Sequence, residues 1–149
     1  MVAFRFGETL ILIRLQRLSV FVIIKHPFRE VEVVTDSPLL VKSKAFALDI
    51  IRVCNEIKQS RRESVLTNQL IRSGTSIGAN IREAFYAHGK ADFIARLQIA
   101  LKECSESEYW LELLLESGYY NDDGILNRCI EIKRILISSI NTAKEKSQK

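Results

Sequence analysis

The sequence predicts an all-α fold, an up-down-up-down four-helix bundle preceded by an atypical N-terminal extension. Three observations carry this. From Ser37 onward apolar residues recur at spacings of three and four, the period of one helix face. Capping residues and glycines fall where that period breaks. The connections are only a few residues long, which forces consecutive helices to be antiparallel neighbours.

Residues 1–36 have a different texture from the rest. The run "TLILIRLQRLSVFVIIK", residues 9–25, is rich in Leu, Ile and Val, but Arg14 and Arg17 interrupt it. Its apolar runs are too short for a bilayer, which needs about 20 residues. Only Arg5 supplies positive charge ahead of it and no A-x-A-like site follows, so a signal peptide fits poorly. Three readings remain: an extra β-rich or helical element, a weak amphipathic membrane contact, or sequence translated from upstream of the true start. The last is favoured, with initiation at Val31, Val33 or Val34, since Met1 is the only methionine.

The first helix is expected over about residues 38–58. Ser37 is a favoured N-cap and Pro38 a favoured first residue, because a serine oxygen accepts an orphan amide and proline has no amide to leave unpaired. Phe46, Ile50, Val53, Cys54 and Ile57 make its buried face. Ser60 and Glu63 read as an S-x-x-E capping box opening the second helix, whose stripe of Leu66, Leu70, Ile77, Ile81 and Ala84 runs to about residue 87. After Gly89 comes a long third helix, roughly 90–117, with Phe93, Leu97, Ala100, Leu101, Cys104, Leu111 and Leu115 on one face. Gly118 is the expected left-handed stop, and "NDDG", residues 121–124, offers a turn with capping carboxylates. Ile125, Cys129, Ile132, Leu136 and Ile140 form the buried face of the fourth helix. The bundle domain is thus 37–143, and residues 144–149 are a solvated tail.

Composition bounds the function. The chain has 149 residues, 47% of them apolar and 27% charged, which suits one globular core. A net charge of +4 permits nucleic acid or an acidic partner but falls short of a polybasic tail. Cys54, Cys104 and Cys129 are odd in number, widely spaced and lack a CxxC, so they read as buried thiols in a reducing cytoplasm. A di-iron bundle needs inward-facing glutamates with E-x-x-H on two helices, whereas the bundle has His88 alone, at a helix end, where it either bonds Asp92 or caps. No catalytic, cofactor-binding or metal-binding residue is expected, and the protein is read as no enzyme.

The stretch "IRSGTSIGANIREA", residues 71–84, carries two glycines inside a helix. With Leu70 at zero and a turn of 100° per residue, Gly74 falls at about 40°, within the apolar stripe, and Gly78 at about 80°, on its edge. Each costs about 0.8–1 kcal/mol relative to alanine, so close helix approach is the expected compensation. Gly74 is assigned mainly to the bundle's own packing. Ser73, Gly78 and Asn80 are placed on the flanks, where a second subunit could dock. Tyr109 and Trp110 are large anchors for either core edge or oligomer contact, with equal weight on each. A phosphate-binding loop is excluded by glycine spacing and by helix on both sides.

Lys58, Arg61 and Arg62 crowd the first turn, Arg72 and Arg82 lie off the second helix's stripe, and Lys90 and Arg96 open the third helix. These seven are candidate nucleic-acid contacts that repetition around an oligomer would reinforce, although on one chain alone a plain solvated face is the simpler reading. Glu103, Glu106, Glu108 and Glu112 make an acidic strip suited to pairing with a basic neighbour across a subunit boundary, and Glu83 is expected to pair with a nearby arginine.

The segments "SPLLVKSKAFALDIIRVCNEI", "LTNQLIRSGTSIGANIREAFYA" and "ADFIARLQIALKECSESEYWLELL" together resemble the four helix bundle, or 23S rRNA-intervening sequence, protein family over about residues 37–140. That family is similar to the accessory variability determinant proteins of diversity-generating retroelements. The resemblance implies a small four-helix bundle that forms a ring-like homopentamer, often encoded within insertions in ribosomal RNA genes, without an established enzymatic activity; the chain is read as bacterial and cytoplasmic, with no membrane partner. Two functions of different class follow: a nucleic-acid-binding module acting on RNA or DNA, or an adaptor that docks on a reverse transcriptase or other protein. The extension before Ser37 departs from the family pattern.

Overall fold

The computed structural model divides into two compact units, Met1–Asp36 and Ser37–Lys149. It describes the backbone at residues 2–6, 9–13, 25–26 and 29–30, and backbone and side chains over 37–145. In the first unit β1 (Val2–Phe6) pairs antiparallel with β2 (Thr9–Ile13), with Phe4 opposite Ile11, and β3 (Lys25–His26) pairs with β4 (Arg29–Glu30). The proposed start at Val31, Val33 or Val34 lies outside the described residues.

The second unit is an all-α four-helix bundle: α1 (Pro38–Arg61), α2 (Val65–Phe85), α3 (Lys90–Glu116) and α4 (Gly124–Glu145). Each helix packs on the next and α4 closes back on α1, with α2 and α3 sharing the most extensive interface. One continuous core fills the middle. Phe46, Ile50 and Ile57 meet Leu70, Ile77 and Ile81 there, together with Leu97, Leu111, Ile125, Ile132 and Leu136. Each such side chain contributes about 1.5–3 kcal/mol by leaving water. At the α1–α4 seam Asp49 accepts Arg128 at 3.2 Å, and Lys42 pairs with Glu131 at 2.9 Å.

Local chemistry corrects several expected boundaries. Ser37 is the N-cap of α1, yet its hydroxyl makes no capping bond; its carbonyl accepts the Val41 amide at 3.1 Å and Pro38 occupies the first turn. Helix α1 continues to Arg61 and stops at Arg62, which takes the left-handed conformation at φ 54°. Ser60 is therefore inside α1, where its hydroxyl donates to the Glu56 carbonyl at 2.8 Å, and no capping box forms. Glu63 alone caps α2: its carboxylate accepts the Leu66 and Thr67 amides at 2.8 and 3.0 Å. Burial pushes the Glu63 carboxyl up, but the amides of Leu66, Thr67 and Val65 outweigh it and hold it below the usual range.

Helix α2 ends at Phe85 rather than near residue 87, because the Tyr86 and Ala87 amides turn back onto the Glu83 and Ala84 carbonyls. In α3 Leu114, not Leu115, joins the buried core, while Leu66, Phe93 and Leu101 pack against it half-buried. Gly118 has the expected positive φ of 74°, and Asp122 accepts the Gly124 amide at 2.8 Å at the start of α4. Helix α4 extends through Glu145, so the expected tail is helical at its start; residues 146–149 lie outside the described residues.

Candidate functional surface

The helical geometry separates the candidate cations. Lys58, Arg61 and Arg62 stand at the α1–α2 turn, whereas Arg82, Lys90 and Arg96 stand at the α2–α3 turn. The 21 residues of α2 lie between them, which at 1.5 Å per residue is about 30 Å. They are two basic groups at opposite ends of the bundle, with Arg72 between.

Their partners differ as well. Arg72 bonds Glu106 at 2.8 Å, and Arg96 bonds Glu83 at 2.5 Å and Asp92 at 3.6 Å. The expected pairing of Glu83 with an arginine is therefore present. Lys58 donates to the Asn68 side chain at 2.7 Å. Among the described residues Arg61, Arg62, Arg82 and Lys90 make no ion pair. Asp92 is taken by Arg96 and leaves His88 exposed, with no bond to Asp92. Half of the acidic strip on α3 is engaged within the chain, Glu106 by Arg72 and Glu108 by Lys133. Glu112 is exposed and Glu103 half-buried.

Two small residues of α2, Ser73 and Gly74, are buried in the bundle interior, whereas Gly78 and Asn80 are half-buried. A Cβ on Gly74 would come within 3.0 Å of Ile50 Cγ1, so the glycine admits that side chain. A Cβ on Gly78 would meet Ser43 of α1, its carbonyl oxygen at 3.5 Å and its Oγ at 3.7 Å, which are ordinary contacts. Ser73 is not on a flank: it is buried against α3, where Ser107 donates to its hydroxyl at 2.9 Å. Asn80 is half-buried and donates to the Ser76 carbonyl. Trp110 takes the core-edge role, packed against the core with its indole N–H donated to Glu106 at 3.3 Å. Tyr109 is its exposed neighbour, rings 5.0 Å apart.

Between α1 and α2 a groove of about 360 Å³ opens to the surface, lined by Leu40, Lys44, Ala47, Gly78, Ala79 and Arg82. Beyond Arg82, at the α2–α3 turn, lies Tyr86, 80% exposed. Beside it Phe85 packs edge-on against Phe93, ring centres 6.3 Å apart. Sequence reasoning passed over Tyr86, although an aromatic pair at a helix end between Arg82 and Lys90 is a visible signal.

The cysteines are buried free thiols, as their stripe positions predicted. Burial pushes the Cys54 thiol up to about 12 against the opposing pull of Lys58. Cys104 is driven above the usual thiol range by its contact with Cys129 and by burial. Among the described residues there is no metal-binding cluster of His, Cys, Asp or Glu, and no helix is long and apolar enough to cross a membrane.

Comparison with known proteins gives a consistent placement. No curated protein matches the chain. A crystal structure from Bacteroides thetaiotaomicron, described as a protein with unknown function from the S23 ribosomal protein family, is 47% identical. It superposes with a TM-score of 0.67, over 68% of this chain and 97% of that one. The family model of the 23S rRNA-intervening sequence protein matches residues 35–138, from the start of α1 into α4, and the chain belongs to that family.

Proposed function

We propose that this protein is a non-enzymatic, cytoplasmic, oligomeric module that binds nucleic acid through cations repeated around an assembly of identical bundles. One observation carries the reading: among the described residues Arg61, Arg62, Arg82 and Lys90, at the two ends of α2, make no ion pair, whereas Lys42, Arg72, Arg96, Arg128 and Lys133 each pair with a carboxylate. Unpaired cations are free to neutralise phosphates and so release the counterions condensed on a nucleic acid. The family's link to ribosomal RNA insertions makes structured RNA the first ligand to try. A homopentamer, expected from the family resemblance, would present each basic end five times.

A second reading rests on a different feature. Val41, Leu48 and Ile51 on α1 are exposed at 55%, 54% and 39%, and their spacing puts them along one outer face. Such a strip suits copies of the bundle or another protein, for instance a reverse transcriptase, and an adaptor would use it. Solution mass combined with binding to a structured RNA at two salt concentrations separates the two. Affinity falling steeply with salt supports the nucleic-acid module; affinity for a protein that is nearly salt-independent, with none for RNA, overturns it.

A further inference from the structure

We propose that the α2–α3 turn is a stacking tip for unpaired nucleobases, in which Tyr86 takes the face of a base and Arg82 and Lys90 hold the flanking phosphates. The inference rests on the nucleic-acid reading above and adds to it the class of nucleic acid: single-stranded or looped RNA rather than duplex.

Three features of the tip point this way. First, Tyr86 is 80% exposed, more than the other large apolar and aromatic side chains among the described residues. Its seat is nevertheless fixed. The Tyr86 amide donates to the Glu83 carbonyl at 3.0 Å, the Ala87 amide to the Ala84 carbonyl at 3.1 Å, and the adjacent Phe85 ring is held edge-on by Phe93. A ring on a fixed backbone orders only two side-chain torsions when it stacks, so little entropy opposes binding.

Second, the local carboxylates are spent. Glu83 and Asp92 both turn onto Arg96, which leaves Arg82, one helical turn before Tyr86, and Lys90, four residues after it, without an acidic partner among the described residues. An exposed aromatic between two free cations matches a nucleotide, which presents a π-face and a phosphate together. Third, Arg82 also lines the groove between α1 and α2, whose lining on α2 continues back through Ala79, Gly78 and Thr75 and includes Lys44 of α1, so a strand that followed the groove from the tip would pass a further ammonium. Duplex RNA hides its base faces; only loops, bulges and single strands offer them.

The test uses the full chain and two labelled RNAs of equal charge, one with an unpaired loop and one fully paired, measured by fluorescence anisotropy. Tighter binding of the looped RNA is expected, with Tyr86→Ala weakening it roughly 5- to 150-fold, the range of one lost base stack. Tyr86→Phe should bind as the wild type does, and neither variant should alter duplex affinity, thermal melting or solution mass. Equal binding of looped RNA by Tyr86→Ala and wild type overturns the proposal, as does a change in subunit number on substitution, which would place Tyr86 in an interface. If Arg82→Glu with Lys90→Glu weakens both RNAs while Tyr86→Ala weakens neither, the cationic reading stands and stacking alone falls. If the wild type binds neither RNA, both fall.

Discussion

Ser107 on α3 donates a 2.9 Å hydrogen bond to the hydroxyl of Ser73 on α2, and both residues are fully buried. Two polar side chains at stripe positions thus satisfy each other across the largest helix interface. Ser73 passes its own proton to the Gln69 carbonyl at 3.1 Å, so the chain of bonds ends on the backbone. Removing either member has unequal consequences. Ser107→Ala leaves Ser73 with its donated bond and should lose under about 1 kcal/mol, whereas Ser73→Ala strips a buried donor of its acceptor and should lose about 1–3 kcal/mol. Urea unfolding of both and of the double variant checks this. The double variant should lose less than the sum.

The two glycines of α2 should respond with opposite sign. Gly74→Ala sets a methyl 3.0 Å from Cγ1 and 3.1 Å from Cγ2 of Ile50, which is wholly buried and, being β-branched, has one favoured rotamer in a helix. Overpacking of this kind costs about 1–3 kcal/mol, more than the roughly 1 kcal/mol that alanine gains in propensity. Gly78→Ala meets only an ordinary 3.5 Å contact and should stabilise by about 1 kcal/mol. A lower melting temperature for Gly78→Ala would show that the α1–α2 approach is tighter than it looks.

Glu63 makes stability depend on acid. Its carboxyl is held below the usual carboxylate range in the folded protein, so the stabilisation it brings is present above its unfolded pKa and fades as pH falls through the folded value. Glu63→Ala should cost about 0.5–2 kcal/mol at pH 7, as loss of a helix cap does. The gap between variant and wild type should close on acidification below pH of about 4, near the ordinary carboxylate value. Denaturant melts across pH would sink this assignment if the gap stayed constant.

The sequence made these helices legible because their buried faces follow one period, and Ile125, Cys129, Ile132, Leu136 and Ile140 of α4 were all placed correctly. Errors came where a second use of a residue competed. Ser60 looked like a cap, but α1 had not ended, and a helix terminus depends on where Arg62 turns left-handed rather than on the hydroxyl itself. Ser73 falls on a flank of the stripe when helix α2 is viewed alone, and it is buried because α3 covers that flank; its partner Ser107 lies 34 residues away. The same distance hid the Arg72–Glu106 pair. Pairings of this range are set by how α2 lies on α3, which no local pattern encodes.

The buried thiols should be silent until the bundle opens. With Cys54 pushed up to about 12 and Cys104 raised by Cys129 and burial, these two hold hardly any thiolate at pH 8, and all three sulfurs are shielded from solvent. A thiol-disulfide reagent should label none of them in the native protein at pH 8 and all of them in denaturant. Rapid native labelling of Cys104 or Cys129 would mean that α3 and α4 separate readily, and of Cys54 that α1 lifts from the core.

Charge variants can tell which cations meet phosphate. Arg72 must first leave Glu106, and an exposed pair of this kind stabilises by about 0–1 kcal/mol, so any phosphate contact it makes is discounted by up to about fivefold. Arg82 and Lys90 carry no such penalty. Arg82→Ala should therefore reduce RNA affinity more than Arg72→Ala does, and should lower the slope of log affinity against log salt by about 0.7 for single-stranded RNA. The slope is the more telling quantity, because a substitution that merely loosens the fold changes affinity without removing a released counterion. If Arg72→Ala lowers the slope and Arg82→Ala does not, the ligand lies across the α2–α3 face, and the acidic strip with its ion pairs would be the element that gates binding.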